Sequence, residues 1–293
     1  MWDWILPVRS LPQPGQVAEI IGDATVEPYC GGGAPNIAVA LARLGFSPRL
    51  IYPVGQDFPD SECEARWRAD GVDLAGIVTV PTERSGFAYL FVAQDQESVC
   101  FAFPGAAGVA AAPRLFTFDE FVVVAPVLNG FTRPILEAAL AKRRRVLMSG
   151  IAGRELIPYL AQLTALVINA AEANRLCHFL NLESHSALAA QFPDCLFFVT
   201  QGAAGSTLYQ HKEAYSISAV APQRVIDPTG AGDAYAAGVV AGLLLERDPI
   251  AAGRIGATLA SFVVEEFGSQ TNLPDRAMLR QRMNEPDFPF SVE

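Results

Sequence analysis

Lysine is almost missing from this chain: Lys142 and Lys212 are the only two in 293 residues. Neither follows a glycine loop, which excludes a Walker A site, where a lysine reaches the phosphates. A nucleotide would have to be held by backbone amides instead. The five cysteines (Cys30, Cys63, Cys100, Cys177, Cys195) are odd in number, scattered, and form no C-x-x-C pair. Neither a zinc ribbon nor a disulfide framework is expected, and a reducing, cytoplasmic setting fits. No G-x-G-x-x-G fingerprint follows a strand, which argues against a dinucleotide-binding oxidoreductase. No G-x-S-x-G elbow marks a serine hydrolase. No apolar run approaches the ~20 residues that span a bilayer. The opening "MWDWILPVRSLPQPG" lacks a basic segment and a small-residue cleavage site, so no signal peptide is expected. Positive charge is also short: 21 Lys and Arg face 31 Asp and Glu, a net charge of −10. Such a surface repels nucleic acid. The one basic cluster, Lys142 to Arg145, reads as the solvated end of a helix.

Apolar residues are plentiful, at 51% against 18% charged, enough for a large core. From about Arg49 onward, short β-rich runs alternate with helical ones. "RLIYPVG", "FVVVAPVL", "RVLMSG", "ALVINA" and "CLFFVTQG" read as strands. "DSECEARWRADG", "RPILEAALAKR", "EANRLCHFL" and "SALAAQF" read as helices. This alternation predicts a mainly parallel sheet covered on both faces. Two regions depart from it. Residues 85–104 alternate with period two around the turn "AQDQES", which predicts an antiparallel hairpin. Residues 4–28 also read as extended. Both are either edge strands or a small β-sheet lid. The last third reads as helices over 231–246, about 249–266 and 275–284.

Two glycine stretches carry chemistry. "SAVAPQRVIDPTGAGD" reads as a strand-like approach to a turn, and a helix follows from near Gly230. The first amides of a helix have no internal partner and lie at the positive end of its dipole. Glycine lets a phosphate approach them closely. The amides of Gly230, Ala231 and Gly232 therefore form a candidate anion hole, with Asp233 beside it in the first turn. A carboxylate there makes chemical sense as the acceptor of a proton from a hydroxyl that attacks the phosphate. An ordinary helix cap explains the same residues. The second stretch, "YCGGGAPNIAVALARLG", places a glycine turn before a helix that starts near Asn36. An Asn there can bind a polyhydroxylated ligand or simply cap the helix.

Together, "DPTGAGDA" and "GGGAPNIAVALARLG" resemble the two signatures of the ribokinase-like (PfkB) carbohydrate kinases. "VGQDF", "GVDLAGI", "NAAEANRL" and "VTQGAAGS" match further family segments in order across nearly the whole chain. The resemblance implies one ribokinase-like domain over 1–293: a three-layer α/β/α fold with a mainly parallel central sheet and a small β-sheet lid at about 4–28 and 85–104. It implies ATP-dependent phosphorylation of a hydroxymethyl group on a sugar or sugar-like alcohol. Asp233 takes the place of the general base, and Gly230, Ala231 and Gly232 that of the anion hole. Asn169 and Glu172 match the pair that organises Mg²⁺ through water, and Thr200 and Gly202, with Asn169, the nucleotide-lining positions. Asp227 and Thr229 fall where some relatives hold a monovalent cation such as K⁺. Asp3, Gly32, Gly33 and Asn36 match or adjoin the acceptor-binding positions, although a disordered terminal acid is the plain reading of Asp3. Some relatives dimerise through the lid, and the resemblance extends that option to this chain. A nucleoside kinase, or a sugar or nucleotide sensor without catalysis, are the competing readings. The sequence departs from the family pattern twice. Asp3 is the third residue, so the family's first strand is expected to be missing, and Asp60 stands where "VGxDxxG" has glycine.

Overall fold

The computed structural model describes residues 2–21, 27–95, 97–113, 118 and 120–284. They fold into two compact units. The first takes in the residues up to Ala110 together with Pro222–Ala231 and Phe262–Pro274. The second takes in Ala111–Ala221, Gly232–Ser261 and the chain from Asp275.

In the first unit, β1 (Trp2–Val8), β2 (Tyr29–Cys30), β5 (Phe87–Ala93) and β6 (Ser98–Phe103) form a four-stranded sheet in the order β2-β1-β5-β6. β3 (Arg49–Gly55) and β4 (Asp73–Val80) pair in parallel as a second sheet. Helices α1 (Gly33–Arg43), α2 (Glu62–Ala69) and the single turn α3 (Ala106–Val109) complete it. The expected 85–104 hairpin is the antiparallel pair β5–β6. The extended run expected over 4–28 is corrected: it is strand only at β1, with an isolated bridge from Val8 to Ile20. Pro12 and Pro14 lack the amides a ladder needs. Residues 22–26 of that expectation lie outside the described residues.

Strand alternation gives the β1-β5-β6 sheet two different faces. One is aromatic: Trp4, Tyr89 and Phe101 fall in one cross-strand row, and Trp2, Phe87 and Phe103 in the next. Phe101 remains 62% exposed. The opposite face carries Asp3, Ala88 and Ala102 in one row and Ile5, Leu90 and Cys100 in the next.

The second unit is built on a six-stranded sheet. Its strands are β7 (Phe121–Val124), β8 (Arg145–Ser149), β9 (Ala165–Asn169), β10 (Leu196–Thr200), β11 (Ser206–Gln210) and β12 (Glu213–Ile217). β7 to β10 run parallel, and β11 and β12 add antiparallel at one edge. β8, β9 and β10 are apolar on both sides because both sides are covered. Val146, Met148, Leu166, Ile168, Phe197 and Val199 pack with α4 (Thr132–Ala141), α5 (Ala170–Leu180), α6 (His185–Gln191) and a 3₁₀ stretch at Arg154–Gln162. On the other side, Phe198 meets Tyr235 of α7 (Ala231–Leu244) and approaches Gly253 of α8 (Pro249–Val263). Helix, sheet and helix make the three layers expected. The last helix is α9 (Arg276–Met283). Among the described residues, no helix is long and apolar enough to cross a membrane.

Two further corrections concern the loops and the cysteines. Residues 218–230 carry no strand; the Ile226 and Asp227 amides donate instead to the Val264 carbonyl, at 2.7 and 3.3 Å. Cys30 and Cys63 are joined in a disulfide, while Cys100, Cys177 and Cys195 are free. The odd count and wide spacing concealed a pair that only the fold brings together, 33 residues apart in sequence.

Small residues set the spacing of α7 and α8. A Cβ on Gly238 would lie 2.4 Å from the amide nitrogen and 2.5 Å from the Cα of Gly256. Backbone cannot swing aside as a side chain does, so Gly238→Leu should lower stability by about 1–3 kcal/mol or more. Chemical denaturation measures this; an unchanged midpoint and slope would contradict the close packing.

Candidate active site

Asp3 is held in place by strand pairing. It is the second residue of β1, opposite Tyr29 on one side and Ala88 on the other, and is 4% exposed. The reading of a disordered terminal acid is therefore overturned. The turn that follows β2 comes up against it. A Cβ on Gly31 would stand 1.7 Å from an Asp3 carboxylate oxygen, so a larger residue there would displace that carboxylate. Gly32 then turns the chain at φ +100° and caps α1, whose first residue is Gly33. This is a conformation that residues with a Cβ rarely adopt. Asn36, one turn into the helix, is buried, and its Oδ1 accepts from Gln270 Nε2 at 2.8 Å. Gln270 Oε1 accepts in turn from the indole N–H of Trp67, at 3.0 Å. Trp67 is fully buried against Phe58 and Tyr52. The four expected acceptor residues thus gather in the first unit, supported by Gly31, Gln270 and Trp67, which sequence reasoning missed. No motif marks Gln270, because its partner lies 234 residues away.

The loop before α7 also folds within the first unit. Asp227 is fully buried; its Oδ1 accepts from the Thr229 amide at 3.0 Å and its Oδ2 from the Gly268 amide at 3.1 Å. Gly230 has φ +82°, and a Cβ there would lie 2.4 Å from that of Ser269. Two buried hydroxyls in this loop pair, Thr229 Oγ1 and Ser269 Oγ, have no hydrogen-bond partner. Buried polar atoms are seldom left so, and an unseen ion or water is the usual explanation. Of the three expected anion-hole amides, that of Ala231 donates to the Pro228 carbonyl at 3.2 Å. Gly232 is exposed and Asp233 half-buried in the first turn of α7, with the apolar run from Ala234 onward buried behind them. Tyr235 anchors that run. Its hydroxyl bonds Ser206 Oγ at 2.7 Å, and burial pushes its pKa up to about 12, although the Ser206 bond works the other way.

The remaining expected residues lie in the second unit. Asn169 and Thr200 are register partners at the ends of β9 and β10. Asn169 and Glu172 form a capping box: Asn169 Oδ1 accepts from the Glu172 amide at 2.8 Å, and Glu172 Oε2 accepts from the Asn169 amide at 2.9 Å. This arrangement starts α5 and fixes both side chains. Gly202 has φ +58° and opens a 3₁₀ turn just beyond Thr200.

Asp57 is a further ordered acid in the first unit. Its Oδ1 accepts from the Ser85 amide at 2.7 Å, and Ser85 Oγ accepts from the Gly55 amide at 2.9 Å. Burial works against its charge, but the Ser85 bonds, its own amide and the nearby Arg84 guanidinium outweigh that and hold its pKa below the ordinary value. Cys100 shares the sheet face of Asp3; burial first, and the Asp3 charge second, push its thiol up. Asp60 has φ +63°, so the place where the family pattern has glycine does take the left-handed conformation.

The family model described as pfkB family carbohydrate kinase matches residues 2–276. A nucleoside kinase of Methanocaldococcus jannaschii is 31% identical over 280 residues, covering 93% of this chain and 90% of its own. A Haemophilus influenzae ribokinase is 27% identical over 287 residues, covering 94% and 92%. The crystal structure of the M. jannaschii enzyme, an archaeal member of the ribokinase family, matches with a TM-score of 0.78 at 28% identity over 97% of this chain and 95% of its own. A Burkholderia thailandensis nucleoside kinase in complex with inosine gives 0.84 at 24% identity over 98% and 95%, a likeness of fold.

The Asp57 arrangement has a pH consequence. A carboxylate whose folded pKa lies below its unfolded value of about 3.8 stabilises the fold above that value. The contribution is lost as pH falls through the folded pKa. Asp57→Asn should therefore reduce the loss of melting temperature below pH 4 relative to wild type. An identical acid limb in both proteins would argue against the Ser85 bonds.

Proposed function

The chain belongs to the pfkB family of carbohydrate kinases, and from that premise we propose that it transfers the γ-phosphoryl group of ATP to a hydroxymethyl group on a ribose-containing acceptor, a nucleoside in first place. The observation that carries the reaction is the head of α7. There Asp233 stands in the first helical turn, directly behind the Gly230–Ala231–Gly232 turn. In this reading Asp233 takes the proton of the acceptor hydroxyl. The helix N-terminus, with the amides of Gly230 and Gly232 foremost, balances the charge of the transferring phosphoryl group. The transition state of such transfers is loose, so positioning and charge balance supply most of the catalysis. Asp3, the Gly31–Gly33 turn and Asn36 bind the acceptor hydroxyls. The choice of a nucleoside rests on the relatives named nucleoside kinases, 31% and 28% identical over more than nine-tenths of this chain.

The residues present suit the expected ions. Glu172 uses one carboxylate oxygen in its capping box, which leaves the other to face the waters of a hydrated Mg²⁺, an ion that keeps several of them. Asp227 with the unpartnered Thr229 and Ser269 hydroxyls offers an all-oxygen set suited to a monovalent cation such as K⁺. Thr200, Gly202 and Asn169 line the nucleotide. The aromatic sheet face around Phe101 and Phe103 suits a second copy of this chain.

ADP release measured over nucleosides, ribose and other sugars tests the reaction. Asp233→Asn should lower turnover by about 10²–10⁴-fold while ATP still protects the protein from melting. Near-normal turnover in that variant removes Asp233 as the base, and turnover of free ribose alone corrects the acceptor. For the assembly, Phe101→Ser should shift sedimentation from dimer to monomer; a wild-type protein that sediments as a monomer at all concentrations rejects the lid interface.

A further inference from the structure

Helix α2 contributes none of the acceptor residues, yet it touches their supports twice. Cys63 and Trp67 stand four residues apart, on one face of the helix. Cys63 is bonded to Cys30, the residue immediately before the Gly31 that abuts the Asp3 carboxylate. Trp67 donates to Gln270, which donates to Asn36. Both sulfur atoms lie in the interior, with Cys30 3% and Cys63 1% exposed. One tie thus holds the glycine turn from its N-terminal side, and the other holds it from inside α1. Gly31, Gly32 and Gly33 between them have no side chains of their own to resist motion.

We propose that Cys63 and Trp67 are positioning residues for the acceptor, and that the Cys30–Cys63 disulfide makes acceptor affinity responsive to thiol redox state. In the oxidised protein the turn is held at both ends. A dithiol reductant opens the bond by exchange: its first thiolate attacks one sulfur and forms a mixed disulfide, and its second closes a ring and leaves as the cyclic disulfide. The two electrons and two protons end on the Cys30 and Cys63 thiols. The reduced protein keeps the Trp67–Gln270–Asn36 chain but loses the tie next to Gly31. The Asp3–Gly31 contact then becomes one of several arrangements, so acceptor binding weakens while nucleotide binding, through residues of the second unit, does not.

This inference rests on the reading of Asp3 and Asn36 as acceptor ligands, and the experiment separates the two. Steady-state kinetics with inosine as acceptor are compared for the oxidised protein, the protein reduced with dithiothreitol, the same protein reoxidised, and the Cys30→Ser/Cys63→Ser variant. Reactive thiols are counted and folding is checked by circular dichroism throughout. The acceptor KM should rise about fivefold on reduction, the scale of one lost hydrogen bond. The KM for ATP and kcat should hold, and reoxidation should restore the original value. Trp67→Phe, which keeps most of the volume but removes the donor, should raise the acceptor KM in both redox states. Asp3→Asn serves as the reference. If it leaves the acceptor KM unchanged, the acceptor site itself is misread. If it raises KM while reduction, confirmed by two extra thiols, does not, the positioning role fails. It fails equally if the folded protein resists dithiothreitol, or if kcat and both KM values worsen together, as a general loosening would produce.

Discussion

The start of α7 depends on one buried carboxyl group. Asp227 receives the amides of Thr229 and Gly268, and so joins the loop before α7 to the loop after α8. A buried acid without such donors would be costly, and with them it becomes a rigid two-point tie. Pro228, with its fixed φ, and Gly230, at φ +82°, have little freedom once that tie is made. The helix therefore begins at Ala231, with Asp233 in its first turn. A shift of one residue would rotate Asp233 by about 100° around the helix axis and remove it from the helix mouth. The chemistry assigned to one acid thus depends on a neighbouring acid that takes no part in it.

The proposed acceptor side is held differently. Its tie is a neutral chain of Trp67, Gln270 and Asn36, all within the interior of the first unit. Neutral groups can be buried in such a chain without the desolvation cost of an ion pair, provided each is satisfied. The indole N–H supplies the one donor that ends the chain inside an apolar cluster of Phe58 and Tyr52. Rigidity on this side comes from burial and side-chain hydrogen bonds. On the α7 side the Asp227 carboxylate ties two backbone amides, and the conformations of Pro228 and Gly230 set the turn.

That difference explains what could be read from the sequence. Strands such as Val146–Met148 and Leu166–Ile168, apolar throughout, announced a sheet covered on both faces. Helices α1, α4, α5, α7 and α8 fall close to their expected spans. Glycines at Gly32 and Gly230 pointed to special backbone, and both have positive φ. These signals are local, since the residue type and the conformation occupy the same position. The expected strand before Asp227 failed for the opposite reason. The Ile226 and Asp227 amides at its end donate to the Val264 carbonyl rather than to a neighbouring strand, and only the tertiary fold provides that partner. The Cys30–Cys63 bond and the Gln270–Asn36 bond were hidden for the same reason.

Asp60 shows how far a local departure from a family pattern reaches. It takes the left-handed conformation that glycine would otherwise supply, one of the few residue types that tolerates it. Its amide donates to Glu64 Oε2 within the first turn of α2, and the Ser61 side chain caps the same helix. The conformational cost at Asp60 is thus partly offset by bonds that define where α2 starts. Helix α2 carries Cys63 and Trp67, so the position of its first turn governs where both reach. Glycine at position 60 would relieve the strained φ but leave the entry to α2 less constrained. The departure from the pattern and the bracing of the glycine turn therefore belong to one local arrangement.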